Sequence, residues 1–83
     1  MNYYTETLSQ ALTYAQNRLD EEKAVPVELD WANAFQFDGV PYGTNKSANI
    51  ELATLRGKPT RKWAHLTIWR LDSGRYEWNV YIL

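Results

Sequence analysis

An α+β fold, with one N-terminal helix packed on a small antiparallel β-meander, follows from three features of the sequence. Leu8, Ala11, Leu12, Ala15 and Leu19 recur at helical spacing near the start. Two arms rich in β-branched and aromatic residues, 62–71 and 75–83, flank the turn sequence Asp72-Ser73-Gly74. A third strand is read over 48–55, where Ile50, Leu52 and Thr54 point one way, and it joins the first arm through Arg56-Gly57-Lys58-Pro59-Thr60-Arg61. The 83 residues are read as a single domain: a helix over about 5–22, an irregular or short-strand region over 26–47, and the meander over 48–83. A chain of this length buries roughly 60–65% of its unfolded surface, enough for one core. Three main strands are expected, with one or two short extra strands beside them.

The helix reads as a narrow apolar stripe flanked by Gln10, Gln16, Asn17, Arg18 and Asp20, and the stripe should lie on the sheet. Thr5 is the expected N-cap, with Glu6 in the favourable first turn and Asn2 as an alternative cap for an earlier start. The run Asp20-Glu21-Glu22 places three acids at the negative end of the helix dipole, and a basic group is expected nearby. The stretch 56–62 is one candidate for that group, and plain solvation of the helix end is the other reading. Pro26 is expected to stop the helix and to start an extended segment in which Val27, Leu29 and Trp31 share a side. Asp38-Gly39 signals a turn that could close a small hairpin, but Pro41 confines the second arm to an edge or to no sheet. Phe35, Phe37 and Tyr42 are expected to form a mobile flap in this least regular region.

Register decides which side chains of the 62–83 hairpin meet. A two-residue Ser73-Gly74 loop pairs Trp69 with Trp78, whereas a three-residue loop with Gly74 in the left-handed position pairs Ile68 with Trp78 and Leu66 with Val80. The three-residue loop gathers Ala64, Leu66, Ile68, Tyr76, Trp78, Val80 and Ile82 on one face. It is preferred because a slip of one residue drives Glu77 or Asn79 into the core without a partner. The opposite face then carries Trp63, His65, Thr67, Trp69, Glu77, Asn79 and Tyr81.

Composition excludes several functions. There is no cysteine, so neither a disulfide framework nor a thiolate metal site exists. No apolar run approaches the roughly 18 residues of a membrane span, and the N-terminal stretch lacks the basic and apolar regions of a signal peptide. A cytoplasmic location is therefore expected, with no membrane contact. Up to Asp30 there are six acids against two bases, and from Trp31 onward seven bases against four acids, within a net charge of −1. Such a chain can offer an acidic and a basic pole to different partners or complement itself.

Two constellations carry functional expectations. Trp63, Trp69 and Tyr81, rimmed by His65, Glu77 and Asn79, form an aromatic and polar face of the kind enriched where proteins bind other proteins. For any one of these rings, packing under the N-terminal segment or a second copy is the plainer reading. Arg56, Lys58, Arg61 and Lys62 lie directly before Trp63, a grouping suited to the phosphates and stacked base of single-stranded nucleic acid. Charged turns are also ordinary solubility devices, and an acidic chain is unlike a dedicated nucleic-acid binder. His65 is the single histidine and has no evident catalytic companion; a packing pair with Tyr81 is expected. No catalytic residue, metal site or cofactor is expected.

The leading expectation is thus a small non-catalytic protein-binding module, an inhibitor or adaptor of the type encoded by mobile elements such as phages, with single-stranded nucleic-acid binding as the alternative. A homodimer is expected as well, through an open edge of strand 75–83 or through paired aromatic faces.

Overall fold

A computed structural model describes residues 2–28 and 30–83. Its elements are β1 (Tyr3–Thr5), α1 (Leu8–Glu21), β2 (Ala24–Pro26), a short 3₁₀ helix (Trp31–Phe35), β3 (Asn45–Thr54), β4 (Pro59–Arg70) and β5 (Tyr76–Ile82). The strands form one curled antiparallel sheet in the order β1-β5-β4-β3-β2, with α1 packed on it. Three long strands and two short ones match the fold class that the sequence predicts.

Several boundaries differ from the expectation, each for a local reason. The helix starts at Leu8 rather than near residue 5 because Thr7, not Thr5 or Asn2, is its N-cap. The Thr7 hydroxyl accepts from the Gln10 amide at 3.1 Å, and Gln10 Oε1 accepts from the backbone N–H of Thr7 at 3.1 Å, a reciprocal capping box. Thr5 instead ends β1, buried, its hydroxyl donating to the Thr7 carbonyl at 3.1 Å. At the other end the helix closes before Pro26 is reached: Lys23 takes a left-handed φ of 54° and its N–H donates to the Asp20 carbonyl at 2.9 Å. The acidic helix end is met from within, since Arg18 pairs with Glu22 at 2.8 Å and Glu21 at 3.4 Å. The hydrogen bond that Arg18 donates to the Glu22 carboxylate holds its guanidinium above its ordinary pKa. No ion pair joins this end to residues 56–62 among the described residues; the one pair bridging the acidic and basic halves is Arg75 with Glu6, at 3.0 Å.

The region 27–44 also departs from expectation. Leu29 lies outside the described residues, and the chain around it forms no strand: β2 ends at Pro26, and Trp31 begins the 3₁₀ helix. Asp38-Gly39 does turn, with Gly39 at φ 74° and the Val40 N–H donating to the Phe37 carbonyl at 3.1 Å, but no strands flank it. The expected flap is instead core, since Phe35 and Phe37 are buried and Tyr42 alone of the three is exposed. They join Ala11, Ala15 and Leu19 from the helix and Leu52, Leu66, Ile68 and Trp78 from the sheet in one cluster.

The two long hairpins share a turn. In both, three residues end in a left-handed glycine: Leu55-Arg56-Gly57 with φ 82° and Asp72-Ser73-Gly74 with φ 86°. The hydrogen bonds agree as well. Thr54 N–H donates to the Lys58 carbonyl and Gly57 N–H to the Thr54 carbonyl, at 2.9 and 2.8 Å; Leu71 to Arg75 and Gly74 to Leu71 are both 2.9 Å. The second turn sets Ile68 opposite Trp78 and Leu66 opposite Val80, the register expected from face continuity. Strand β3 begins at Asn45, earlier than expected, because its polar start pairs with Trp69 and Thr67 on the uncovered face. The basic stretch is less of a loop than expected: Thr60, Arg61 and Lys62 belong to β4, bulged out between the pairs Ala53–Pro59 and Glu51–Trp63. Thr60 stitches this bulge, its hydroxyl donating to the Leu52 carbonyl at 2.8 Å and accepting from the Lys62 N–H at 3.1 Å.

Candidate functional site

Strand alternation divides the sheet. Ala64, Leu66, Ile68 and Trp78 are buried under α1 and its neighbours, so the residues between them face the other way. Across the ladder that second face brings Trp63 beside Glu51, His65 between Asn49 and Tyr81, Thr67 between Ser47 and Asn79, and Trp69 between Asn45 and Glu77. All six residues expected in a protein-binding face therefore share one surface. Trp63 and Tyr81 are 42% and 51% exposed there; His65, Trp69, Glu77 and Asn79 are half-buried.

Polar groups form a connected row through the middle of this face. His65 Nδ1–H donates to Asn49 Oδ1 at 2.8 Å, since an amide oxygen only accepts, and Nε2 is hydrogen-bonded to the Thr67 hydroxyl at 3.1 Å. The Thr67 and Ser47 hydroxyls are hydrogen-bonded to each other at 2.9 Å. The His65 and Tyr81 rings tilt together with centroids 5.4 Å apart, the expected packing pair. Toward β1, Asn79 Nδ2 donates to Asn2 Oδ1 at 2.9 Å and Asn2 Nδ2 donates to Glu77. Each of these polar groups is held by its strand and by a hydrogen-bonded neighbour.

Sequence reasoning missed the flanks of this surface. Asn45, Ser47, Asn49 and Glu51 supply its β3 side, and the signal was their alternation at every second position, hidden because the first of them resemble a polar loop. Tyr4 and Asn2 supply the β1 side, and Tyr4 is 56% exposed opposite Glu77. Three residues of strand carry too little pattern to be read from sequence.

The second expected grouping is dispersed but reachable. Arg56, Lys58, Arg61 and Lys62 are all exposed and take part in no ion pair among the described residues. They run from the β3–β4 turn through the bulge to Trp63, with Arg61 held at a left-handed φ of 61°. Among the described residues no three His, Cys, Asp or Glu side chains cluster as metal ligands, and no helix is long and apolar enough to cross a membrane. In comparisons with known proteins the chain matches no family model, no curated protein and no solved structure.

Proposed function

We propose that this chain is a non-catalytic module, of inhibitor or adaptor type, that binds another protein through the uncovered face of its sheet. The observation carrying this reading is that three exposed rings, Tyr4, Trp63 and Tyr81, stand on one face around a hydrogen-bonded polar centre. Amphipathic rings held on a sheet give contact area at small entropic cost, and the fixed polar row supplies direction. His65, Trp69, Glu77 and Asn79 complete the contact.

A benzophenone photo-cross-linker in place of Tyr81, introduced in the native host, tests the reading. It should yield one recurrent protein adduct, absent when the same group replaces Thr13 on the exposed side of α1. Trp63→Ala should weaken binding of that protein by about 2 kcal/mol. Equal adducts from both positions would count against the face.

The four exposed cations favour a second reading, in which Arg56, Lys58, Arg61 and Lys62 hold single-stranded nucleic acid and Trp63 stacks on a base. Neutralising four phosphates gives a log–log salt slope of about −2.8. Against it, Glu51 sits directly opposite Trp63 and brings a carboxylate beside the stacking ring. Titration of short single-stranded DNA and RNA, followed by tryptophan quenching, separates the two: no quenching at low salt removes the nucleic acid.

A further inference from the structure

The β3 strand has two edges, and among the described residues one of them is unpaired for half its length. Strand β2 runs beside Leu52, Ala53 and Thr54, and one more bond follows, from the Val27 N–H to the Glu51 carbonyl at 2.8 Å. The 3₁₀ helix Trp31–Phe35 also packs against β3, with no backbone hydrogen bond to 45, 47 or 49 among the described residues. Because the Glu51 carbonyl points outward, alternation directs the backbone groups of Asn49, Ser47 and Asn45 outward too. The Thr44 carbonyl, accepting from the Arg70 N–H at 2.9 Å, confirms that the even positions turn toward β4. Among the described residues the outward N–H and C=O groups of 45, 47 and 49 have no hydrogen-bond partner. No proline or bulge blunts this stretch, so it is a template for another strand.

A cleft of about 260 Å³ lies against the same edge, between Ala48–Glu51 and Val27, Trp31 and Ala34. Its chemistry differs by face. Ala48 and Ile50 point to the core side of the sheet, whereas Asn49 and Glu51 point to the uncovered side. Glu51 and Glu28, both bordering the cleft, are exposed and in no ion pair among the described residues. A strand laid here therefore meets Ala48 and Ile50 with one set of alternate side chains, Lys46 being drawn onto the Phe37 ring beyond them, and the exposed Glu51 carboxylate with the other.

We propose that the outer edge of β3, residues 45–49, takes up an extended segment of a partner protein in which apolar and basic residues alternate. The segment continues the row that β2 leaves at Val27. Its main chain bonds to Asn49, Ser47 and Asn45, its apolar side chains pack beside Ala48 and Ile50, and a lysine or arginine meets Glu51. This site adjoins the uncovered face: it uses the outward main chain of β3, while the side chains of Asn45, Ser47, Asn49, Glu51 and Trp63 border both.

A fluorescein-labelled peptide of alternating valine and lysine tests the proposal by anisotropy, with amide hydrogen exchange on the intact protein as the second readout. Binding should slow exchange at Ser47 and Asn49 and should weaken by about tenfold or more in Ser47→Pro, which removes an outward N–H and fills the edge while sparing the ladder to β4. Ser47→Ala, which drops the hydroxyl bond to Thr67 but keeps the N–H, should bind as the parent does, and so should Tyr81→Ala, which damages only the uncovered face. A peptide of alternating valine and glutamate should not bind. Equal binding of both peptides, undiminished binding by Ser47→Pro, or no protection at Ser47 and Asn49 would each overturn the proposal. Slowing of those amides by raised concentration of the protein alone would overturn it in favour of edge pairing between two copies. Loss of binding in Tyr81→Ala with Ser47→Pro unaffected would move the peptide to the uncovered face.

Discussion

The ring of Tyr3 stacks on that of Trp78, centroids 4.8 Å apart and planes inclined by 27°. The two residues are directly paired across β1 and β5, and Tyr3 closes the side of a tryptophan that is 3% exposed. The short strand β1 thus has a definite task. It covers β5 from Tyr76 to Trp78, which an isolated hairpin would leave as an unpaired edge. Tyr3→Ala should lower stability by about 1.5 kcal/mol, the stacking contribution and part of the ring's burial together. Urea unfolding followed by tryptophan emission measures it. A midpoint equal to that of the parent would show that β1 does not seal the core.

Tryptophans on opposite faces should respond in opposite ways. Trp78 packs between Tyr3 and Tyr14 in the main cluster, so Trp78→Ala should cost about 3–5 kcal/mol and leave little folded protein at 37 °C. Trp63, on the uncovered face, is 42% exposed, and its alanine variant should stay within about 0.5 kcal/mol of the parent. Circular dichroism melts of the two variants make the comparison. Unfolding by Trp63→Ala with a stable Trp78→Ala would reverse the two faces.

These faces were legible because one argument fixes all of them: a slip of one residue sends Glu77 or Asn79 to the core. Once Gly74 is read as the left-handed third residue of the turn, Ile68–Trp78 and His65–Tyr81 follow from counting. What escaped was held by long-range contacts. Tyr3-Tyr4-Thr5 becomes a strand because β5 is there to receive it, and Phe35 and Phe37 become core because the sheet offers them a place. Neither fact is encoded in a local period. The polar flank of the uncovered face was hidden similarly, since Asn45 and Ser47 look like loop until a partner strand shows that they alternate.

Backbone handedness gives substitutions of opposite sign. Gly57 and Gly74 close equivalent turns at φ 82° and 86°, and a Cβ at either would have nothing within 4 Å. Alanine there meets only the backbone penalty, about 1–2 kcal/mol at each position. Lys23 ends α1 at φ 54° with an exposed side chain, where glycine is the favoured residue. Lys23→Gly should therefore stabilise by about 0.5–1 kcal/mol, the relieved penalty less the added freedom of the unfolded chain. Chemical unfolding of the three variants checks the signs, and a destabilised Lys23→Gly would mean that the lysine side chain holds the helix end in some further way.

Arg70 ties the irregular segment 37–44 to the sheet and should set how readily that segment opens. Its Nη1 donates to the carbonyls of Phe37 and Val40 at 3.0 and 2.8 Å, and its guanidinium lies 4.6 Å from the centroid of the Tyr42 ring. Its backbone adds two bonds, accepting from Gly43 N–H and donating to the Thr44 carbonyl at 2.9 Å. The main-chain bonds survive substitution and the side-chain bonds do not. Arg70→Met keeps the apolar stem but strips both carbonyls of a charged donor, at a cost of about 1.5–3 kcal/mol. Arg70→Lys should fall between, since an ammonium cannot both reach two carbonyls in a fixed plane and lie flat on Tyr42. The loss should be local before it is global. Amides at Val40 and Gly43 should exchange faster in Arg70→Met while those of Leu66 and Ile68, in the middle of the sheet, stay slow. Uniform acceleration of all four would instead make Arg70 part of the global core, and unchanged exchange at Val40 would show that Phe37 alone holds the segment down.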